Sequence, residues 1–296
     1  MKTRKPRFFI IGAPKCGTTS MDEWLKAHPC IFTPEKESHY FNTDHTDRTV
    51  RSLQAYQALF EGVSDEHIAI GEASVRYLYS HEAVANILRY NQEAVFIVMV
   101  RNPVEMAYSW HNQLYFTGTE SEADFETAWN LQTQRKAGQH IPRHCTDVKK
   151  LFYGEICSLG QQVQRLYQRV PSNRVHVVVF DDLKTTPGNV YQSVLNFLNV
   201  PDNHKQVFEI HNPAKVHYYR PLNRLIGLLG DMKAATGISK GFGILEGVRK
   251  FNWKVESRSP LAPHMQRMLT QYFYDDVRLL ERLIGRDLTH WSQRCR

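Results

Sequence analysis

The feature that most constrains the fold is a short apolar run that ends in a glycine loop and leads into a helix. Phe8-Phe9-Ile10-Ile11 is apolar at every position and ends at Gly12. Such a run is typical of a buried parallel strand. Residues 18–28 then carry apolar side chains at helical spacing, and Pro29 ends this pattern because proline lacks the amide hydrogen that a helix needs. The chain is therefore predicted to begin with a strand, a glycine loop and a helix.

Further apolar runs are followed by helical patterns in the same way. Val95–Val100 precedes a helix over about residues 104–114, and Val175–Phe180 precedes a helix over about residues 187–198. Ala69–Gly71 is a short fourth candidate strand. Strands that alternate with helices form parallel sheets with helices on both faces. The predicted fold class is α/β, with a central parallel sheet flanked by helices.

The sequence has no obvious domain boundary. Residues 203–260 contain prolines and glycines, and we expect helices broken by loops there. Residues 263–291 carry apolar side chains at helical spacing. No repeat, low-complexity tract or linker divides the chain, and its length suits one large α/β domain. A single domain over residues 1–296 is predicted.

Charge and cysteine content narrow the range of partners. The formal net charge of +7 favours anionic ligands. No basic stretch is interleaved with aromatic residues, so a nucleic-acid partner is not expected. The five cysteines are irregularly spaced, which argues against a zinc site or a disulfide scaffold. Reduced thiols are typical of a cytoplasmic protein.

The N-terminal segment is also compatible with a cytoplasmic location. Pro14 and Lys15 end the first apolar run before it reaches the ~7–15 residues of a signal peptide. No stretch approaches the roughly 20 apolar residues of a transmembrane helix, so no membrane partner is expected. The oligomeric state does not follow from the sequence.

The loop between the first strand and helix, residues 12–19, has the composition of an anion site. Glycines let the backbone turn around an anion, and the amides and dipole of a helix N-terminus favour negative charge. Lys15 adds a cation, and Thr18 and Thr19 add hydroxyl donors. The P-loop of nucleoside-triphosphate enzymes requires a lysine directly after its second glycine, whereas Thr18 follows Gly17 here.

Two further residues, at the end of another predicted strand, could bind a phosphate. Arg101 directly follows the predicted strand Val95–Val100, and Ser109 lies eight residues later in the predicted helix. Pro103 suits the first turn of that helix. A guanidinium offers a forked donor for phosphate oxygens, and the serine hydroxyl adds another.

Both motifs resemble those of sulfotransferases that use 3'-phosphoadenosine 5'-phosphosulfate (PAPS). Residues 14–20, Pro-Lys-Cys-Gly-Thr-Thr-Ser, resemble the family's 5'-phosphosulfate loop, and Arg101-x7-Ser109 resembles its 3'-phosphate motif. An ATP site would explain only the first motif. The resemblance implies a P-loop-like sulfotransferase fold, PAPS as co-substrate, no required metal, and a catalytic role for Lys15. The implied PAPS-binding residues are Lys15, Cys16, Gly17, Thr18, Thr19, Ser20, Arg101 and Ser109.

The segment after the first helix resembles a catalytic string. Lys36-Glu37-Ser38-His39-Tyr40-Phe41 is similar to a motif of the heparan sulfate 3-O-sulfotransferases, and N-sulfotransferases carry a related one. The resemblance implies that Glu37 is the general base and that His39 orients the acceptor or shares the proton. It implies that Lys36 contacts the donor sulfonate or an anionic acceptor. In an extended segment Glu37 and His39 would face the same side.

Two further regions are candidates for ligand contacts. Residues 71–77 resemble a family stretch that lines the acceptor side, which makes Glu72, Ser74 and Tyr77 candidate acceptor contacts. For the loop that covers the nucleotide in cytosolic members, the candidates are Lys240-Gly241 and Arg249-Lys250.

The function implied by this resemblance is sulfuryl transfer from PAPS to a hydroxyl or amine of a saccharide or small-molecule natural product. Asp275–Trp291 resembles the C-terminal segment of bacterial members. A P-loop kinase or NTPase is one alternative, and Thr18 in place of the expected lysine argues against it. A non-catalytic protein that binds a nucleotide or a sulfated glycan is the other, and the presence of Glu37 argues against it.

Overall fold

A five-stranded parallel sheet follows the apolar runs of the sequence. The structure, a computed structural model, describes residues 5–35, 37–209, 215–217, 253–255 and 260–292. The strand order is β2-β3-β1-β4-β5, and all neighbouring pairs are parallel. The strands are β1 (Phe8–Gly12), β2 (Ile31–Phe32), β3 (Ala69–Ala73), β4 (Val95–Val100) and β5 (Val175–Val179). The predicted fold class, α/β with a central parallel sheet flanked by helices, is confirmed.

The middle of the sheet is buried on both faces. Every residue of β1 is buried, and in β4 only Val95 is partly exposed. This explains why both strands read as continuous apolar runs. Phe8 lies opposite Gly71 of β3, where an added Cβ would lie 2.4 Å from the Phe8 ring. Glycine at position 71 is therefore needed for the Phe8 ring to pack across β3.

Helices follow most of the strands and surround the sheet. Helix α4 begins with Pro103 in its first turn, where the Asn102 side chain accepts a hydrogen bond from the Val104 amide at 3.0 Å. The helices are α1 (Thr18–Lys26), α2 (Leu53–Ala58), α3 (Ala83–Tyr90), α4 (Pro103–Thr117), α5 (Phe125–Asn130), α6 (Gln132–Lys136), α7 (Tyr153–Cys157), α8 (Leu159–Tyr167), α9 (Phe180–Thr185), α10 (Pro187–Leu198), α11 (Pro263–Ile284) and α12 (Thr289–Ser292). Short 3-10 turns cover Val148–Leu151 and Ser172–Arg174.

The last long helix is anchored by a buried carboxylate. Asp276 of α11 accepts the amides of Gly160 and Gln161, at 2.8 and 2.9 Å, at the start of α8. Helix α11 ends at Ile284, because Gly285 adopts the left-handed conformation with φ of 63°. The helical pattern predicted over residues 263–291 is thus divided into α11 and α12.

The chain separates into two compact units. One consists of Met1–His211 with Leu261–Arg296, and the other of Asn212–Pro260. In the second unit, β6 (Lys215–His217) pairs antiparallel with β7 (Trp253–Val255). Most of residues 203–260, including Lys240-Gly241 and Arg249-Lys250, lies outside the described residues. The single domain over residues 1–296 stays a prediction.

A helix that spans a membrane needs about 20 mostly apolar residues. Within the described parts of the chain, no helix combines enough length with enough apolar character to cross a bilayer.

Candidate active site

The carboxyl ends of the strands bring the predicted motifs to one edge of the sheet. The Ala13 amide, just after β1, donates to the Met99 carbonyl of β4 at 2.7 Å. The Ser74 amide, just after β3, donates to the Ile10 carbonyl at 2.9 Å. Ligands of open α/β sheets bind at this edge. The glycine loop, Arg101 and the residues after β3 therefore border a common region.

The glycine loop has a conformation that only a small residue at position 17 allows. Gly17 adopts φ of 86°, and an added Cβ would lie 2.4 Å from a δ carbon of Leu183. Gly17 is also the N-cap of α1, and it offers no capping side chain to the first helical turn. Backbone amides at such a helix start suit an anion. Thr18 and Ser20 are buried, whereas Thr19 is exposed.

Two neighbouring side chains of the loop have different surroundings. The Lys15 ammonium donates to Gln113 Oε1 of α4 at 3.1 Å, and Lys15 adopts a left-handed φ of 64°. Cys16 is fully buried, and burial raises the pKa of its thiol to about 12. Cys16 is therefore an uncharged packing residue of the loop, and the positive charge comes from Lys15.

Arg101 is held on three sides. One terminal nitrogen donates to the Lys15 carbonyl at 3.0 Å, which ties Arg101 to the glycine loop. Its Nε and other terminal nitrogen donate to Glu105 Oε2 at 3.1 and 2.7 Å. The guanidinium also lies 4.6 Å from the centre of the Phe180 ring. These contacts fix a cation beside the glycine loop, as an anion site at this strand end requires.

Ser109 lies on the same helix as Glu105, in a position that leaves its hydroxyl group without a partner. Its side chain is 1% exposed, and its Oγ makes no hydrogen bond to any described residue. A buried hydroxyl without a partner costs about 1–3 kcal/mol. A ligand oxygen that reached Ser109 would remove that cost, so the position fits the predicted phosphate contact.

Glu37 and His39 lie within hydrogen-bond distance of each other. Glu37 Oε2 lies 2.8 Å from His39 Nε2, and the Glu37 side chain is 40% exposed whereas that of His39 is 11% exposed. His39 has a left-handed φ of 46°, so the segment is not extended at that residue. The two side chains meet through this turn instead. Lys36 lies outside the described residues.

Glu72, Ser74 and Tyr77 are buried beneath the Glu37–His39 pair. Glu72 is 1% exposed, and its Oε2 accepts a hydrogen bond from Ser38 Oγ at 2.5 Å. Burial raises the pKa of Glu72 to about 7. The Ser74 hydroxyl accepts the His39 amide at 3.1 Å. These side chains contact the protein interior, and their role as acceptor contacts stays a prediction.

A cluster away from these motifs has the residue types of a metal site. The cluster consists of His45, Asp47 and Asp147. Each offers one possible ligand atom, and these three atoms lie within 4.8 Å of one another. The Arg76 guanidinium lies 2.7 Å from Asp47 and 3.1 Å from Asp147, and Lys150 pairs with Asp47. Arg76 and Lys150 thus supply the positive charge that these carboxylates need.

Several contacts of the site were not predicted from the sequence. Glu105 lies four residues after Arg101, a spacing at which helical side chains meet, so this ion pair could have been found. Gln113 and Phe180 give no such signal, because their contacts with Lys15 and Arg101 depend on how α4 and β5 pack beside β1 and β4.

Comparisons with known proteins identify the family and the fold. A family model described as the sulfotransferase domain matches residues 5–223. The mouse heparan sulfate glucosamine 3-O-sulfotransferase 5 is 24% identical over 213 residues, which cover 72% of this chain and 59% of that protein. The human bifunctional heparan sulfate N-deacetylase/N-sulfotransferase 3 is 24% identical over 205 residues, 67% of this chain and 22% of that protein. The chain thus spans less than two thirds of these relatives.

A solved structure resembles this chain over nearly its whole length. A sulfotransferase from Alicyclobacillus acidocaldarius is 26% identical, with a TM-score of 0.73, and the match covers 98% of this chain and 100% of that one. The fold is therefore the P-loop-like fold of sulfotransferases. With the matching family model, this places the chain in the family defined by the sulfotransferase domain.

Proposed function

We propose that this chain transfers the sulfuryl group of PAPS to a hydroxyl or amine of a saccharide or small-molecule acceptor, with Glu37 as general base. The observation that carries the proposal is that two separate groups of residues suited to anions lie at one edge of the sheet. One is the glycine loop with Lys15, and the other is Arg101 with Ser109. PAPS carries anionic groups at its 5' and 3' ends and supplies the sulfuryl group with a bisphosphate leaving group.

The two anion sites have distinct tasks in this proposal. Lys15 and the amides at the start of α1 hold the 5' end, where negative charge develops as the bisphosphate departs. Arg101 and Ser109 hold the 3'-phosphate; the otherwise unpartnered Ser109 hydroxyl supports this assignment. Both Lys15 and Arg101 supply positive charge without a metal, and we propose that the reaction requires none. A cytoplasmic location and a bacterial origin stay predictions.

The unequal exposure of Glu37 and His39 supports the choice of base. The Glu37 carboxylate is accessible. His39 is largely buried, and its ring nitrogen Nε2 contacts the Glu37 carboxylate. Because an ionised carboxylate only accepts hydrogen bonds, Nε2 carries the hydrogen and orients Glu37. Glu37 takes the proton from the acceptor O–H or N–H as the new bond to sulfur forms and the sulfur–oxygen bond to the bisphosphate breaks.

A transfer assay tests this function. The purified chain is incubated with 35S-labelled PAPS and with heparosan oligosaccharides, glucosamine or a phenol, without added metal. We expect a labelled product with at least one acceptor, and its loss in Glu37→Gln. Phosphoryl transfer from ATP with magnesium, and no sulfated product, would move the function to the kinase alternative.

A further inference from the structure

In the segment that carries Glu37 and His39, backbone amides donate to buried hydroxyl groups. Three successive backbone amides donate to them: His39 to Ser74 Oγ at 3.1 Å, Tyr40 to Ser38 Oγ at 3.2 Å, and Phe41 to the Tyr77 hydroxyl at 3.2 Å. All three hydroxyl-bearing residues are buried. The conformation of the segment therefore depends on where these hydroxyl groups point.

Glu72 is the acceptor that fixes the direction of this network. Ser38 Oγ donates to Glu72 Oε2 at 2.5 Å and lies 2.9 Å from the Tyr77 hydroxyl. A serine hydroxyl has one hydrogen, so Tyr77 donates to Ser38. The Tyr56 hydroxyl donates to the other oxygen, Oε1, at 3.3 Å. Without the carboxylate, the hydrogen of Ser38 has no acceptor in this arrangement.

The carboxylate is also unusual in its surroundings. It is 1% exposed, and it accepts hydrogen bonds from the hydroxyls of Ser38 and Tyr56. Within the described part of the chain, no lysine or arginine pairs with it, and the nearby charge is that of Glu37. A buried carboxyl group without a cationic partner is costly to the fold, and such groups are concentrated at functional sites.

We propose that Glu72 is a positioning residue of the transfer reaction, which acts through Ser38 on the Glu37–His39 pair. Ser38 lies between the two residues of the pair, so its anchored hydroxyl fixes the backbone on both sides. The left-handed conformation of His39, with φ of 46°, is then maintained by the bond from its amide to Ser74. This inference rests on the proposed role of Glu37 as the general base.

The proposal is tested by a double-mutant cycle with Glu72→Leu and Glu37→Gln, measured with PAPS and the acceptor found active in the transfer assay. Leucine removes both acceptor oxygens, whereas glutamine would keep an amide oxygen for the Ser38 hydroxyl. A displaced catalytic group reduces turnover by up to about 100-fold. We expect Glu72→Leu to lower kcat by at least 10-fold in the wild-type background, with KM for PAPS nearly unchanged. In the Glu37→Gln background the same substitution has no further effect, because Glu72 acts through Glu37. Tyr56→Phe, which removes only the contact to Oε1, is the matched control with near-normal kcat.

The outcomes separate this inference from the proposed function. If Glu37→Gln retains full turnover, the role of Glu37 as base is wrong. If Glu37→Gln lowers turnover but Glu72→Leu does not change it, or if the two effects multiply, only the positioning role of Glu72 is overturned.

A second measurement requires no acceptor. The imidazole 15N resonances of His39, assigned with His39→Gln, report on its contact with Glu37. We expect Glu72→Leu to move them toward their positions in Glu37→Gln and Tyr56→Phe to leave them in place. Unmoved resonances in Glu72→Leu would contradict the proposal.

Discussion

Replacement of Glu72 by glutamine is expected to make the stability of the protein depend less on pH. Burial raises the pKa of Glu72 from 4.5 in the unfolded chain to about 7 in the folded protein. The folded state thus binds the proton more tightly, so the contribution of Glu72 to stability is fully present below pH 4.5 and is lost as the pH rises through 7. At about 1.36 kcal/mol per pKa unit, the wild-type protein loses on the order of 3 kcal/mol across this window.

Urea unfolding at several pH values from 4 to 8 measures this effect. Glutamine does not ionise, so the free energy of unfolding of Glu72→Gln should not fall in this window. Relative to the wild type, it should rise by about 3 kcal/mol from pH 4 to pH 8. Glu35→Gln is the matched control, because it makes the same chemical change at a side chain that is 87% exposed. Parallel stability curves for Glu72→Gln and the wild type would show that burial of Glu72 does not cause this pH dependence.

Three further predictions concern the loop and the reaction. Glu37→Gln should lower kcat by about 100-fold or more, because the general base is lost. Its affinity for 3'-phosphoadenosine 5'-phosphate, measured by calorimetry, should stay within about twofold of the wild type. Retained turnover would show that Glu37 is not the base. Gly17→Ala should lower the free energy of unfolding by about 1–3 kcal/mol in urea titrations, because the added Cβ meets Leu183 at 2.4 Å; unchanged stability would contradict this. Incubation with EDTA should leave the transfer rate unchanged, whereas loss of activity that magnesium restores would show that Lys15 and Arg101 do not suffice.

Much of the fold could be predicted because its signals are local. A strand buried on both faces is apolar throughout, which is why Val95–Val100 is observed at its predicted limits. The strand predicted over Val175–Phe180 is shorter by one residue, because Phe180 already begins α9. Residues 31–32 form a two-residue edge strand, which is too short to give a pattern.

The candidate site was less predictable because its contacts join distant parts of the chain. Phe180 meets Arg101 only because β5 lies beside β4 in the sheet. The burial of Glu72 likewise depends on Tyr56, which precedes it by 16 residues on another element. A motif indicates that a carboxylate lies near the site, but depth below the surface depends on packing that sequence spacing does not encode.

Calorimetric titration tests whether the two proposed anion sites bind one nucleotide. The purified protein is titrated with 3'-phosphoadenosine 5'-phosphate, with AMP and ATP as comparisons and without magnesium. We expect the bisphosphate to bind more tightly than AMP, and Arg101→Ala and Ser109→Ala each to remove most of this difference. Equal binding of AMP and the bisphosphate, or binding of ATP only with magnesium, would contradict this expectation.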